Sequence, residues 1–453
     1  MYPHRTIWPF LIVLLLVVPM LAAATPARAE ATLLVDVESG RVLHAENAAY
    51  PWHPASVTKL MTLYTTLRAV KEGRITLDTP FRVSANALAQ SPTKMGFKVD
   101  TVVTVDNAIK MMMVKSANDM AVLLAEGVSG SIDAFAGEMN ANARGLGMVQ
   151  SNFVNPNGLP DDRQVMSARD LAILARALIR EFPEYDDYWH LHSIRFGRRV
   201  IHNYNKLLDL YPGADGMKTG FICASGFNLV ATATRNGRRL IAVVLGAPSA
   251  SVRTYHAARL LEEGFNMQSG LNFLPPSLGT ADQLVPVAAE PPDLSRDSCG
   301  PHRKRPAAED EEVSFNEGNG DNPLAFVLQG LRSANLKPSE LLGQQVPALP
   351  PVKVFIGTKK PEIAAGATAQ EPQIEGPEGR LAKKRKLAKK GTKENVEAVA
   401  AKERTPAAET ASAKPKPKPK KTPAASADGA TSPAKPTPTS KPVTAPPSIA
   451  GTK

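Results

Sequence analysis

Pro54-Ala55-Ser56-Val57-Thr58-Lys59-Leu60-Met61 predicts a helix that begins with reactive side chains. Apolar residues continue at helical spacing as far as Leu67, and Pro54 stands where a helix can begin. Residues three apart share one face of a helix, so the Ser56 hydroxyl and the Lys59 amine are expected to meet. A neutral lysine can remove the serine proton, and free N–H groups at a helix N-terminus can stabilise an oxyanion. The stretch therefore predicts a serine nucleophile with a lysine base.

A serine and a lysine at this spacing also occur by chance, so the pair needs support from other parts of the chain. Ser91-Pro92-Thr93-Lys94 has the same spacing, but no apolar helical run follows it. Ser116-Ala117-Asn118 opens an apolar helical run, and Lys218-Thr219-Gly220 lies on a strand-like segment. These two segments favour the first pair over the second.

The positive charge of the chain is concentrated at its end. The 453 residues carry a net charge of +11. Residues 380–453 contain 18 Lys and Arg against 5 Asp and Glu, a net charge of +13, which leaves −2 for the remainder. This Ala-, Lys-, Pro- and Thr-rich tail cannot bury enough apolar surface to fold. We expect a disordered basic tail that is either a soluble spacer or a ligand for anionic envelope polymers.

The first 29 residues have the pattern of a secretory signal peptide. Arg5 precedes an apolar core at residues 10–21, and Ala27-Arg28-Ala29 fits a cleavage site. The alternative is an uncleaved anchor, but the core is short for a membrane span and contains Pro19. We therefore expect a periplasmic or other extracytoplasmic protein, which makes nucleic acid an unexpected partner.

Cys223 and Cys299 are the two cysteines of the chain. Two cysteines do not make a disulfide scaffold. They can pair in an oxidising compartment, but the sequence does not show whether their Cα atoms are close enough. Both alternatives, a disulfide and two thiols, stay open at this point.

Residues 30–272 are predicted to form one α+β domain. An antiparallel sheet built from an early hairpin and three late strands is flanked by helices, and an all-helical subdomain lies beside it. Asp106 and Ser167 are the expected caps of two helices in that subdomain. Residues 273–379 are expected to be a Pro-rich linker with a short helix at 322–334 and a strand at 351–356. The strands of the sheet are expected at residues 32–37, 41–44, 216–221, 226–234 and 239–246.

Four segments in this order resemble the low-molecular-mass penicillin-binding proteins, the serine-type D-alanyl-D-alanine carboxypeptidases. The resemblance runs from Ala31 to Phe265 and implies a fold of the β-lactamase and transpeptidase type. Ala117 stands where these carboxypeptidases usually have glycine. Longer members carry a β-rich second domain and a terminal membrane-anchoring helix, and no pattern for either is present, so we do not expect attachment by that route. The four segments are residues 54–61, 116–121, 153–159 and 215–221.

The resemblance assigns roles to the matching positions and implies no metal or cofactor. Ser56 resembles the nucleophile and Lys59 its general base. Ser116 resembles a proton shuttle to the leaving amine, and Asn118 an orienter of Lys59 and of the substrate amide. The remaining implied positions are Lys218, Thr219 and Gly220 with Arg253 for the substrate carboxylate, and the backbone N–H groups of Ser56 and Phe221 for the oxyanion.

The function that the resemblance implies is a D,D-carboxypeptidase acting on peptidoglycan stem pentapeptides. It would remove the terminal D-alanine through an acyl-enzyme on Ser56, and β-lactam inhibitors would acylate the same serine. A D,D-endopeptidase with the same residues and a non-catalytic cell-wall scaffold with a basic tail remain alternatives. A class A β-lactamase is disfavoured, because no Glu-x-x-Leu-Asn segment lies between Ser116 and Lys218.

Overall fold

The computed structural model describes residues 30–267, 278–301, 303, 341–342, 346 and 349–358. Chain contacts divide the protein into two units, residues 1–380 and 381–453, and every described residue belongs to the first. The expected signal peptide, the expected helix at 322–334 and the expected basic tail therefore lie outside the described residues.

Most strands and helices of the described residues lie between Ala31 and Asn266, and one short helix and one short strand follow. The strands are β1 (Ala31–Asp36), β2 (Val42–Glu46), β3 (Pro51–Trp52), β4 (Pro80–Arg82), β5 (Val102–Thr104), β6 (Met166–Ser167), β7 (Ser193–Phe196), β8 (Arg199–His202), β9 (Ala214–Ile222), β10 (Gly226–Arg235), β11 (Arg238–Ala247) and β12 (Val352–Val354). The helices are α1 (Lys59–Lys71), α2 (Ala85–Ala89), α3 (Val105–Lys115), α4 (Asn118–Ser129), α5 (Ile132–Gly145), α6 (Ala168–Glu181), α7 (Asp187–His190), α8 (Leu207–Leu210), α9 (Ala250–Asn266) and α10 (Ser295–Cys299).

The central sheet has the antiparallel order β2-β1-β11-β10-β9 within the described residues. Helix α9 covers one face, where Leu229 and Leu240 pack with Leu260. Helix α6 covers the other face, where Val230 and Val243 of the sheet belong to the same apolar core as Leu171. Because both faces are covered, β10 and β11 are apolar along most of their length rather than alternating. The α+β architecture expected from the sequence is confirmed.

The helical subdomain follows α1 and contains α3, α4 and α5. Ser167 caps α6 as predicted, because its hydroxyl accepts the Asp170 N–H at 3.1 Å. The predicted cap of α3 is wrong. Strand β5 ends in an extended conformation at Thr104, whose hydroxyl accepts the Asn107 N–H at 3.4 Å. Asp106 instead lies in the first turn and pairs with Lys110 at 2.7 Å.

Residues 278–301, called here the C-terminal strap, lie along the surface of this domain, although the sequence placed them in a linker. The strap begins with a bridge between Thr280 and Arg41. Its Leu294 N–H donates to the Ala224 carbonyl at 2.9 Å. Cys299 at its end forms a disulfide with Cys223, which answers the question that the sequence left open.

Strand β12 lies inside the strand expected at 351–356 and joins the sheet β12-β7-β8 in parallel with β7. The Phe355 N–H donates to the Asn107 side chain at 2.9 Å, which fixes this segment to α3. Among the described residues, no single helix has the length and apolar character to cross a membrane. The bent pair α4 and α5 passes that test together, by length and composition only.

Candidate active site

Ser56 lies in a 3₁₀ turn (Ala55–Thr58) that comes immediately before α1, rather than in the α-helix itself. Ala55 has a φ of +50°, a left-handed conformation that costs free energy for a residue with a side chain. The turn is held from outside by Asn228, whose side-chain amide donates to the His53 and Pro54 carbonyls, both at 3.1 Å. The nucleophile turn is therefore kept in shape by the sheet.

Two glycines let other segments reach this turn. A Cβ added to Gly220 would lie 2.8 Å from the Ser56 nitrogen, a distance that real Cβ atoms do not show. Gly158 has a φ of +78°, and a Cβ there would overlap the Ala55 carbonyl. Strand β9 and the loop that contains Gly158 thus close on the Ser56 turn from two sides, and neither position has room for a side chain.

Lys59 is fully buried, with 0% of its surface exposed, and its amine lies 2.9 Å from the Ser56 hydroxyl oxygen. The amine also donates to the Asn118 Oδ1 at 2.8 Å and to the Asn157 carbonyl at 2.7 Å. Those two oxygens can only accept, so they use two N–H groups of the amine. In the neutral form, the remaining lone pair faces the Ser56 hydroxyl. The geometry therefore suits proton transfer from serine to lysine.

Asn118 and Asn157 orient the lysine, and the sequence identified Asn118 alone. The Asn118 amide group donates to the Ser91 carbonyl at 3.1 Å, so its Oδ1 is directed at Lys59. The Asn157 side chain donates to the Gln90 Oε1 at 3.0 Å while its backbone carbonyl faces the lysine. Asn157 lies in the segment 153–159 that carried the resemblance. Its role was missed because a backbone acceptor leaves no signature in the side chain.

The loop that holds Ser91 belongs to the site, although the second serine–lysine pair does not act as one. The Lys94 amine donates to the Leu88 carbonyl at 2.6 Å, which uses it inside the loop. Asp119 accepts the Met95 and Gly96 N–H groups at 3.0 and 2.8 Å. Burial raises the pKa of Asp119, although these N–H groups favour its charged form. The carboxylate therefore fastens the loop to α4.

Ser116 follows α3 in a left-handed conformation, with a φ of +58°, and is completely buried. Its hydroxyl has no hydrogen-bond partner among the residues that the structure describes. Buried hydroxyl groups are normally paired. The unpaired Ser116 hydroxyl is therefore an exception within the described residues, next to the helix that begins with Asn118.

Lys218 and Gly220 lie on one face of β9, since residues two apart in a strand share a face. The approach of Gly220 to Ser56 shows that this face is directed at the nucleophile turn. Lys218 is 1% exposed, and its amine donates to the Thr219 carbonyl at 3.0 Å. The cationic strand predicted from the sequence therefore runs along the nucleophile turn.

Thr219 and Phe221 lie on the opposite face of β9, towards α9. The Phe221 ring packs on the Phe227 ring with centroids 4.3 Å apart. Arg253 of α9 lies over the same Phe227 ring at 5.5 Å and donates to the Asn228 carbonyl at 3.4 Å. Arg253 is thereby buried beside β10, at the level of Gly220 and Phe221.

His53, which precedes Pro54, contacts the loop that contains Gly158 rather than the Ser56 hydroxyl. Its Nδ1 lies 3.3 Å from the Gln164 carbonyl, on the loop that contains Gly158. The side chain of Gln164 donates to the Thr58 hydroxyl at 3.1 Å and so ties the same loop to the nucleophile turn. A Ser–His pair is not formed.

A serine beside a buried lysine, with a cationic strand along the serine turn, is the arrangement that acyl transfer requires. A sequence profile described as D-alanyl-D-alanine carboxypeptidase matches residues 19–249, half of the chain, and the chain belongs to this family. The carboxypeptidase DacA of Haemophilus influenzae is 37% identical over 242 residues, 52% of this chain and 62% of the relative. DacA of Escherichia coli K12 is 35% identical over 251 residues, 54% of this chain and 62% of the relative.

Solved structures agree with the family assignment. Penicillin-binding protein 5 from Haemophilus influenzae matches with a TM-score of 0.50 and 36% identity, covering 52% of this chain and 70% of that chain. Penicillin-binding protein 6B from Escherichia coli matches with the same TM-score and identity, covering 52% of this chain and 76% of that chain. The chain spans about 62% of the length of the curated relatives it matches, so their activity does not transfer without further argument.

Proposed function

We propose that this protein is a serine D,D-carboxypeptidase that removes the terminal D-alanine from peptidoglycan stem pentapeptides. The observation that carries the proposal is the buried Lys59 amine, 2.9 Å from the Ser56 hydroxyl and fixed by two acceptor oxygens. A surface serine–lysine pair would not need such fixation. Membership of the carboxypeptidase family supports the substrate class.

The reaction proceeds by acyl transfer. Lys59 takes the hydroxyl proton of Ser56, and the serine oxygen attacks the carbonyl carbon of the penultimate D-alanine. The negative charge that forms on the carbonyl oxygen is stabilised by the backbone N–H groups of Ser56 and Phe221. Ser116 donates its hydroxyl proton to the leaving nitrogen and takes the proton held by Lys59 in return, and the peptide bond breaks. Water then hydrolyses the acyl-enzyme and regenerates the serine.

The leaving residue is recognised by its carboxylate. Lys218 supplies a buried cation on the face of β9 that is directed at the Ser56 turn, and Thr219, next to it on this edge strand, is the second position that the family resemblance implies. Arg253 adds a second cation behind β10. A charge-assisted contact of this kind favours a C-terminal D-alanine over an internal residue. A β-lactam also carries a carboxylate next to its reactive carbonyl, so it would acylate Ser56 through the same contacts.

A fluorescent penicillin tests the proposal directly. The parent protein should become labelled, and Ser56→Ala should lose all label while its melting temperature stays near that of the parent. Ser39→Ala, a change at an exposed serine of the β1–β2 turn, should label like the parent. A folded parent that takes no label would instead support the non-catalytic scaffold.

Muropeptides separate the two enzymatic alternatives. The purified protein is incubated with a pentapeptide muropeptide and, separately, with a cross-linked dimer, and the products are analysed by mass spectrometry. Release of D-alanine from the pentapeptide alone supports the carboxypeptidase. Faster cleavage of the dimer would replace it with the D,D-endopeptidase.

We also propose that the protein works outside the cytoplasm and that its basic tail binds anionic envelope polymers. The support is the signal-like pattern of residues 1–29 and the net charge of +13 over residues 380–453. Binding to lipopolysaccharide vesicles and to teichoic acid should weaken steeply with salt. Replacing the five lysines of residues 414–421 by glutamine should reduce that salt dependence. Equal binding by parent and variant would leave the tail as a spacer.

A further inference from the structure

Asn228 of β10 is a completely buried polar side chain that the sequence analysis did not single out. Its amide group donates to the carbonyls of His53 and Pro54, each at 3.1 Å. Its Oδ1 accepts the Gly246 N–H of β11 at 3.0 Å. The Asn228 side chain thus connects β10 and β11 to His53 and Pro54, the two residues before Ala55.

The register of the sheet places Asn228 opposite Gly220 of β9. Gly220 is the residue whose backbone approaches the Ser56 nitrogen. Its missing side chain permits this approach but supplies no attraction. The two hydrogen bonds of the Asn228 amide supply the attraction, since they bind the His53–Pro54 segment to the sheet. Removing them leaves the buried Pro54 carbonyl and the partly buried His53 carbonyl without these donors.

The two proposed oxyanion donors belong to different parts of this arrangement. The Ser56 N–H is on the 3₁₀ turn, and the Phe221 N–H is on β9, one residue beyond Gly220. The turn includes Ala55 in a left-handed conformation, which persists only when surrounding contacts determine it. The distance between the donors therefore depends on what holds the turn against β9 and β10.

We propose that Asn228 is a positioning residue that fixes the separation of the two oxyanion N–H donors. The inference rests on the proposed acyl-transfer function. A carbonyl oxygen must receive both N–H groups at hydrogen-bond distance as its charge develops, and a small displacement of either weakens the stabilisation. Asn228 acts through the backbone of the turn and has no contact with the substrate in this scheme.

The test uses Asn228→Leu, which keeps the approximate shape of the side chain and removes its two donor contacts together with the acceptor of the Gly246 N–H. Asn228→Ser is the second variant, in case the leucine variant does not fold. The control is Asn205→Leu, because Asn205 is also buried, with 1% of its surface exposed. Its amide donates at 2.9 Å to the carbonyl of Gly216, which lies on β9 at the end remote from Ser56. All variants are made in the full chain, and their melting temperatures are recorded.

Two kinetic readouts distinguish positioning from general stability. One is the rate constant for acylation by a fluorescent penicillin at saturation. The other is the affinity for a boronic acid analogue of an acyl-D-alanine, whose tetrahedral adduct on Ser56 places an oxygen between the two donors. Loss of one oxyanion donor typically lowers rates about 10²- to 10³-fold, so a displaced donor should cost about 10- to 100-fold. The non-covalent dissociation constant of the penicillin should change less than about threefold, since ground-state binding does not use the oxyanion site.

Three results would decide the matter. The inference stands if the Asn228 variants lose acylation rate and boronate affinity in parallel while Asn205→Leu loses only melting temperature. It is overturned if the parent acylates and the Asn228 variants keep the parent rate, or if Asn205→Leu shows the same kinetic loss. If the parent itself forms no acyl-enzyme, the proposed function fails first, and the role of Asn228 fails with it.

Discussion

At the scale of single residues, the site depends as much on missing side chains as on reactive ones. Gly220 lets the backbone of β9 reach the turn that carries Ser56. Phe221 follows Gly220 on β9, so this one glycine determines how near the Phe221 N–H of the proposed oxyanion site can come to Ser56.

We expect Gly220→Ala to lower the acylation rate at least about 100-fold, because the new methyl group must push β9 away from Ser56 and displace an oxyanion donor. Stopped-flow acylation with a fluorescent penicillin measures this. Gly137→Ala is the matched control, since Gly137 lies in α5 with no atom near its added Cβ. That change should leave acylation unchanged and raise the free energy of unfolding by about 0.5–1 kcal/mol. Equal acylation by both variants would show that the contact at Gly220 is not needed.

The reactive side chains were predictable from the sequence, and the residues that hold them were not. The predictable residues have side-chain chemistry that a spacing pattern can display, and they are Ser56, Lys59, Ser116, Asn118 and Lys218. Asn157 acts through its carbonyl and Asn228 through contacts with the backbone of a distant segment. Such roles depend on tertiary proximity, which no local pattern records.

At the scale of elements, the loop at residues 90–96 has no helix or strand of its own, and its position depends on one carboxylate. Asp119, in the first turn of α4, accepts the backbone N–H groups of Met95 and Gly96. The adjacent Asn118 receives a second restraint, because its N–H donates to the Thr93 carbonyl at 2.8 Å. The loop and the start of α4 therefore move together, and Asn118 in turn orients Lys59.

We expect Asp119→Ala to destabilise the protein by about 2–3 kcal/mol, since it leaves buried N–H groups without their charged acceptor. Acylation should also slow, because Asn118 loses the support of the loop. Asp133→Ala is the control. Asp133 also lies in the first turn of a helix but is exposed, so its loss should cost only the helix-dipole contribution, about 0.5 kcal/mol. Urea unfolding and acylation kinetics measure both. An Asp119 variant as stable and fast as the Asp133 variant would contradict the assignment.

The long elements were predictable, and the short ones near the site were not. Strands β9, β10 and β11 have apolar runs bounded by clear turn signals, and the predicted ranges overlap the observed ones. The 3₁₀ turn at Ser56 was read as the start of α1, because both have the same apolar spacing over four residues. Its separate geometry comes from Asn228, Gly220 and Gly158, which lie far away in the sequence.

At the scale of the whole molecule, the folded domain extends beyond its last long helix. The C-terminal strap contacts α6 through Arg169, which donates to the Asp282 and Leu284 carbonyls at 2.8 and 3.1 Å. The sequence placed this segment in a linker, because it is rich in proline and lacks periodicity. Its order comes from individual backbone hydrogen bonds and from the disulfide, neither of which has a periodic signature.

The disulfide is the covalent end of this strap, and its removal should weaken the whole domain. Cys223 and Cys299 are separated by 76 residues, and closing a loop of that length stabilises a fold by about 4 kcal/mol in the chain-entropy description. We expect the double variant Cys223→Ser and Cys299→Ser to lose about that free energy of unfolding, measured in urea. Its strap should also be cut faster by trypsin at the exposed Arg296, because the end of the strap is no longer tied to the turn after β9. The parent treated with a reductant should show the same two changes, whereas the double variant should not respond to it. If trypsin cuts at Arg296 equally fast in the parent and the variant, the strap is held by its hydrogen bonds alone.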